Sequence, residues 1–248
     1  MDLPELGLLI GTGKQAQVFA AGDAVVKLSI RPGGKRAAFH EAAVLARIEA
    51  LDLPAPMVRG VVCHEGHWGI VLDRVEGPAF AERMRADPAR VPAHLAALAE
   101  LHRKVHWREG AGLPDLVASL RAAIGRAPAL SDQLRRRLHE GLAARPVGDR
   151  LCHGDFHPYN VMGALDSPVL IDWMDARCGA PEADLCRSWM LIDTVDPGLA
   201  EGYVAAYLDV SEVERGEVFA WLPYVAAARL AEDVPEEHER LLAMAERV

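Results

Sequence analysis

Nowhere in this chain do about 18 apolar residues run uninterrupted, the length that a membrane-spanning helix requires. The longest apolar stretch, Val218 to Ala231, is broken by Pro223 and Arg229, so no membrane span is expected. Basic residues are in deficit: 27 Lys+Arg against 36 Asp+Glu leave a formal charge of −9. An acidic chain without a basic face is not expected to bind nucleic acid. Cysteine is sparse, with only Cys63, Cys152, Cys178 and Cys186 and no Cys-x-x-Cys pair. That excludes a disulfide scaffold and predicts reduced, structural thiols. The first residues, Met1 to Glu5, lack the basic region and apolar core of a secretory signal, so a cytoplasmic location is expected. No solenoid repeat or low-complexity tract appears. What is present, 51% hydrophobic and 25% charged over 248 residues, is an ordinary globular composition with room for one large domain or two small ones.

The first quarter alternates short β-rich runs with turn residues. Leu8 to Ile10 precedes a glycine cluster, and Gln17 to Ala20 and Ala24 to Leu28 flank Gly22-Asp23, which reads as a hairpin turn. Lys35 to Leu51 carries Phe39, Ala42, Ala43, Leu45 and Ala46 at helical spacing and predicts one helix with that cluster facing the sheet. Met57 to His64 and Trp68 to Arg74, separated by Glu65-Gly66-His67, predict a second hairpin. Beyond Glu76-Gly77-Pro78 the spacing changes to three and four, as in Leu95, Leu98, Leu101, His102 and Val105, and in Leu134, Leu138 and Leu142. The expectation is therefore an α+β chain of two lobes. A small antiparallel sheet with one helix spans residues 1–76, and a mainly helical lobe spans 77–248. The acidic Glu232-Asp233 and Glu236-Glu237 read as a solvated helix face.

The octet His153-Gly154-Asp155-Phe156-His157-Pro158-Tyr159-Asn160 is followed by Ile171-Asp172-Trp173 at the end of an apolar run. Phosphoryl transfer needs one carboxylate to accept a hydroxyl proton, and an amide and a second carboxylate to hold Mg²⁺ on the phosphates. The kinase catalytic loop spaces its Asp and Asn five apart, and 160 − 155 gives the same five here. Upstream, Gly11-Thr12-Gly13-Lys14-Gln15-Ala16-Gln17-Val18 lies between two predicted strands, like a glycine-rich loop over nucleotide phosphates, with Ala16 where a third glycine is usual. A P-loop does not fit, because Gln15 stands where Ser or Thr would hold Mg²⁺. Lys27, at the end of Ala24-Val25-Val26, is placed to hold the α- and β-phosphates. Glu41 is its preferred partner, with Glu49 or a solvated Glu41 as alternatives. Leu72 to Gly77 should form a hinge whose backbone at Asp73 and Val75 pairs with adenine.

On these residues the chain resembles the aminoglycoside phosphotransferase and choline-kinase-like family of small-molecule kinases, over nearly its whole length. Its most specific points are His153-Gly154-Asp155 with Asn160, Ile171-Asp172, Leu98 to His102, and Glu182 to Arg187, similar to the family's Asp-Leu-Ala segment. The resemblance implies a protein-kinase-like fold and ATP as co-substrate. It makes Asp155 the catalytic base and Asn160 and Asp172 the Mg²⁺ ligands, with Lys27 and Glu41 on the phosphates. Only Trp173 to Ala183 separates Asp172 from Asp184, too little for a long peptide-binding activation segment, so a small acceptor is expected. Asp175, Glu182 and Asp184 are expected to line the acceptor site and favour an aminoglycoside or other cationic acceptor. An amino alcohol, a homoserine-like compound or a sugar is the alternative. A nucleotide-binding regulatory protein without transfer activity is the reading from another class, and a catalytic base argues against it.

His102 and His106 stand one helical turn apart, as do His153 and His157. Neither pair has a third ligand at a recognised zinc spacing, so core histidines are expected. Met84, Trp107 and Trp221 are expected as core or wall of the site.

Overall fold

The computed structural model describes residues 5–248. In chain order the elements are β1 (Leu9–Thr12), β2 (Ala16–Ala21), β3 (Ala24–Ser29), α1 (Lys35–Ala50), β4 (Val58–His64), β5 (His67–Asp73) and α2 (Phe80–Ala86). There follow α3 (Val91–His106), α4 (Leu116–Arg126), α5 (Asp132–Ala143), β6 (Arg150–Cys152), β7 (Val161–Ala164), β8 (Ser167–Leu170) and β9 (Arg177–Gly179). The chain ends with α6 (Pro181–Asp193), α7 (Pro197–Asp209), α8 (Arg215–Phe219), α9 (Leu222–Arg229) and α10 (His238–Ala245).

Two compact units result. The first takes the chain through Ala86 together with Tyr159–Met174, and the second comprises Asp87–Pro158 and Asp175–Val248. The sequence had suggested a single division at 76/77. The β7–β8 hairpin instead packs with the first unit, where Leu170 N–H donates to Pro54 C=O at 2.8 Å.

In the first unit an antiparallel sheet runs in the order β1-β2-β3-β5-β4. Both expected hairpins form, with Gly22 at φ +66° in the first turn and Glu65 and Gly66 at positive φ in the second. Strand β3 alternates as a half-buried strand must: Ala24, Val26 and Leu28 are buried and pack with Val62 and Val71, which turns Lys27 to the opposite face. Helix α1 buries Ala38, Glu41, Val44, Leu45 and Ile48. The expected Phe39-Ala42-Ala43 face is therefore one position out of register, and Phe39 is 52% exposed. Glu41 lies on the true stripe, while Glu49 is exposed.

In the second unit α3 buries Leu95, Leu98, Leu101, His102 and Val105, and α5 buries Leu134, Leu138 and Leu142, as their periodicity requires. Helix α9 is buried from Leu222 through Ala228 and forms the unit's centre, which is why its sequence is apolar all round. Asp115, Ser131 and Asp196 cap α4, α5 and α7 by accepting a backbone N–H. Met84, in the first unit, and Trp221, in the second, are core residues. Trp107, expected as core or wall, is 72% exposed because it follows the last turn of α3. All four cysteines are free, and burial pushes the Cys152 and Cys186 thiols up, which makes them inert. No helix among the described residues is long and apolar enough to cross a membrane.

Candidate active site

Lys27, Glu41 and Asp172 meet in the first unit. The Lys27 Nζ donates to Glu41 Oε1 at 2.8 Å and to Asp172 Oδ1 at 2.9 Å. Strand alternation points the lysine here, and the buried stripe of α1 supplies the glutamate. Burial works against the ammonium, but the two carboxylates outweigh it and hold Lys27 above its ordinary value. Burial also draws the Glu41 carboxyl upward, with Asp172 adding to it, while Lys27 opposes the rise.

Asp172 sits at φ +62°, a conformation that costs a non-glycine residue roughly 1 kcal/mol or more. Its flanks hold it there: Ile171 N–H donates to Asn160 C=O at 2.9 Å, and the buried Trp173 Nε1–H donates to Leu170 C=O at 2.8 Å. Trp173 thus braces the aspartate. The Asp172 side chain is 43% exposed and the lysine occupies only Oδ1, while Asn160 is 9% exposed beside it along the β7–β8 hairpin. A carboxylate and an amide oxygen are the hard donors that Mg²⁺ takes.

Gly11 and Gly13 frame the β1–β2 turn, where Gly13 N–H donates to Ala16 C=O at 2.8 Å. Asp73 ends β5 with its N–H on Met57 C=O and its carboxylate on Arg59 Nε at 2.6 Å; Arg59 also grips Asp23, tying the β2–β3 turn to this strand end. Asp73 and Val75 border a cavity of about 380 Å³ with Pro56, Gly163 and Val169. A larger cavity, about 660 Å³, lies in the second unit beside Arg145, Arg215 and Tyr224, and none of the expected site residues lines it.

The second unit carries Asp155. Burial would raise its carboxyl, but the hydrogen bond and charge of His157, with the charges of Arg187 and His153, hold it well below the usual carboxylate range. His157 Nε2 lies 3.5 Å from Asp155 Oδ2. The loop backbone is gripped on both sides. Arg187 Nε donates to Gly154 C=O. Asp184 accepts from His153 N–H at 2.6 Å and Gly154 N–H at 2.8 Å. Gly154, at φ +82°, could carry no side chain, since a Cβ would stand 2.2 Å from the Asp175 carbonyl oxygen.

Asp184 is 1% exposed and corrects the expectation that it lines an acceptor site. Besides the two amides, its Oδ2 receives His102 Nε2 at 3.1 Å and His106 Nε2 at 3.2 Å. Asp175 is exposed but paired with Arg177 Nη2 at 3.4 Å, and Glu182 is partly exposed in the first turn of α6. The third group beside the His102–His106 pair, which no zinc spacing supplied, is Asp184. The three ligand atoms lie within 4.8 Å of one another, but each is engaged in the hydrogen bonds just described. Two residues escaped the sequence reading: Tyr203 and Tyr207, whose hydroxyls meet His102 Nδ1 at 2.5 Å and His106 Nδ1 at 2.6 Å. The histidine pair and the tyrosine pair each stand four residues apart on their own helix, but nothing local in the sequence ties the two pairs together.

The sequence matches the phosphotransferase enzyme family (APH) over residues 9–221. No curated protein matches it. Among solved structures, the apo form of a thermostable mutant of aminoglycoside phosphotransferase APH(4)-Ia gives a TM-score of 0.72 at 16% identity, covering 98% of this chain and 94% of that one. Aminoglycoside phosphotransferase APH(3'')-Id from Streptomyces rimosus, in complex with ADP and streptomycin, gives 0.61 at 20% identity, covering 86% and 90%. A choline/ethanolamine kinase family protein from Mesorhizobium loti gives 0.64 at 19% identity, covering 99% and 88%. At these identities the likeness is one of fold. The family match over residues 9–221 carries the assignment: the chain belongs to the phosphotransferase enzyme family and is a small-molecule kinase of protein-kinase-like α+β fold.

Proposed function

We propose that the protein transfers the γ-phosphoryl group of ATP to a hydroxyl of a small cationic molecule. The observation that carries this reading is the Lys27 ammonium bridging Glu41 and Asp172, a cation held ready for phosphate oxygens beside a carboxylate with one oxygen to spare. Lys27 holds the α- and β-phosphates and Glu41 orients it, while backbone at Asp73 and Val75 receives adenine and the Gly11–Gly13 turn covers the phosphates. Asn160 and Asp172 have the oxygen donors to hold Mg²⁺, which when bound neutralises charge on the transferring group. Asp155, kept ionised by its neighbours, takes the proton of the acceptor hydroxyl as that oxygen bonds to the γ-phosphorus and the bond to the ADP oxygen breaks. Asp175 and Glu182 are the carboxylates left to meet an acceptor. The choice of a cation rests on the net −9 and on relatives named for aminoglycosides and for choline or ethanolamine. A dependence on ATP agrees with a cytoplasmic site of action.

The test is a screen of aminoglycosides, amino alcohols, amino acids with free hydroxyls and sugars by coupled ADP release with Mg²⁺–ATP. A cationic acceptor is expected, with KM rising with salt and kcat steady, because ions screen an exposed attraction within about 8 Å at physiological strength. A neutral or anionic acceptor with a salt-insensitive KM overturns the acceptor assignment and leaves the transfer reading standing. Lys27→Ala should lower turnover more than nucleotide affinity, and Glu41→Gln should act in the same direction less severely. Unchanged turnover in Lys27→Ala would remove the lysine from the chemistry.

A further inference from the structure

The second unit contains a buried polar assembly far larger than is needed to fix one carboxylate. His102 and His106 on α3, Tyr203 and Tyr207 on α7, Asp184 on α6 and His153 of the loop are each 5% exposed or less. Two chains of hydrogen bonds run in parallel, Tyr203–His102–Asp184 and Tyr207–His106–Asp184, and both end on the same Oδ2. That Oδ2 also accepts the His153 amide, and Oδ1 at the other end accepts the Gly154 amide immediately before Asp155. On its far side Phe156, immediately after Asp155, lays its ring flat on His102, with centroids 4.0 Å apart and planes 4° from parallel. It also stacks against Tyr203 at 6.0 Å. The neighbours of Asp155 on both sides along the chain therefore rest on one imidazole network.

Proton positions follow from the partners. An ionised Asp184 only accepts, so each imidazole presents Nε2–H to it, and a neutral ring then has a bare Nδ1. Each bare Nδ1 needs a donor, and the tyrosine hydroxyl is that donor. Burial, then the neighbouring His106, depress His102 to about 3, which agrees with a neutral ring at ordinary pH. With both nitrogens of each ring and both tyrosine hydroxyls engaged, the rings cannot turn without orphaning a buried group, and a satisfied network of this kind is rigid.

We propose that Tyr203 and Tyr207, acting through His102 and His106, are positioning residues that fix the Asp155 backbone from both sides. The tyrosines touch no reactant; their hydroxyls lock the ring tautomers, and the rings hold Asp184 under the loop and Phe156 beside it. This rests on the proposed role of Asp155 for its kinetic readout, but not for its structural one.

The experiment compares Tyr203→Phe, Tyr207→Phe and the double variant with wild type and with Leu138→Ala, a core truncation on α5 outside the network. Three measurements are made: steady-state kinetics for kcat and KM of Mg²⁺–ATP turnover, amide hydrogen exchange at Gly154 and Asp155, and metal content of the purified wild type. We expect kcat to fall about 3-fold in each single variant and about 10-fold in the double, with KM for ATP unchanged. Exchange at Gly154 and Asp155 should quicken about 10-fold while the α5 amides keep their protection. Leu138→Ala, assayed well below its unfolding midpoint, should keep wild-type kcat. Unchanged kcat and unchanged loop exchange in the folded single variants overturn the proposal, as does a kcat loss equal to that of Leu138→Ala. Equimolar zinc in the wild type would also overturn it, because a metal on both Nε2 atoms reverses the proton assignment. If the double variant fails to fold, the singles decide. Faster loop exchange without any fall in kcat leaves the network in place and refutes its hold on catalysis. An Asp155→Asn variant with wild-type turnover refutes the base assignment instead.

Discussion

If Asp155 is the proposed base, Asp155→Asn should lower kcat by at least ~10²-fold, the usual worth of a general base, and leave Mg²⁺–nucleotide affinity at its wild-type value. The substitution keeps the shape of the side chain and removes the charge that His157, Arg187 and His153 stabilise. Asp172→Asn fails differently. It removes one of the two carboxylates on Lys27 and an oxygen from the proposed Mg²⁺ ligands, so turnover and the Mg²⁺ dependence of nucleotide affinity should fall together. Calorimetric titration of ATP with and without Mg²⁺, beside steady-state turnover for both variants, separates the two. If Asp155→Asn turns over an identified acceptor at the wild-type rate, Asp155 is not the base. If the two variants show the same loss of affinity, the division of roles between them is wrong.

Acid should unfold the protein early, with His102 as the main cause. Burial, and then His106 beside it, push the folded imidazole down to about 3 from the ordinary 6.5. As the pH falls from 6.5 toward 3 the unfolded chain binds a proton at this residue and the folded chain does not. The full stability contribution is thus present above 6.5 and drains away through that window. The slope approaches 1.4 kcal/mol per pH unit, and the total is on the order of 5 kcal/mol, comparable with the whole stability of a small protein. Asp184, held well below its usual range by the two imidazoles despite its burial, adds a loss in the same direction as pH falls below 3.8. Urea unfolding at pH 7.5, 6.0, 5.0 and 4.5 measures the slope directly. His102→Gln, less stable at pH 7.5, should flatten it. A wild-type slope near zero between pH 6 and 4.5 would mean that His102 is charged in the folded state.

Short-range features were the most legible part of this chain. Gly22-Asp23 and Glu65-Gly66 marked hairpin turns because turn chemistry is local, and β3 and α5 were readable because one face of each is buried while the other is not. The octet ending at Asn160 stood out because the chemistry proposed for it fixes a spacing. Glu41 was named for a partly mistaken reason: the stripe assumed to face the sheet was one position away, and three and four residue steps from Glu41 itself reach Val44 and Leu45. Asp184 was misplaced because an acid in the first turn of a helix ordinarily faces water. Nothing local shows that α6 buries Ala183 through Cys186 and then Ser188 through Met190. The tyrosine–histidine pairing spans 101 residues, and the attachment of β7–β8 to the first unit spans a similar stretch. Neither leaves a periodicity to read, since both depend on how distant helices and hairpins dock.

The return of residues 159–174 to the first unit has a consequence for anyone dissecting the protein or exchanging its parts. A fragment cut after Ala86 leaves behind both the hairpin that bonds to Pro54 and Asp172, the second carboxylate on Lys27, so it is not a self-sufficient folding piece. The chain passes between units after residues 86, 158 and 174, and a single crossover between two relatives would pair one parent's sheet with the other parent's hairpin. A clean chimera exchanges two stretches at once, residues 1–86 and 159–174, and inherits Lys27, Glu41, Asn160 and Asp172 as one set while leaving Asp155 with its histidines and tyrosines in the other.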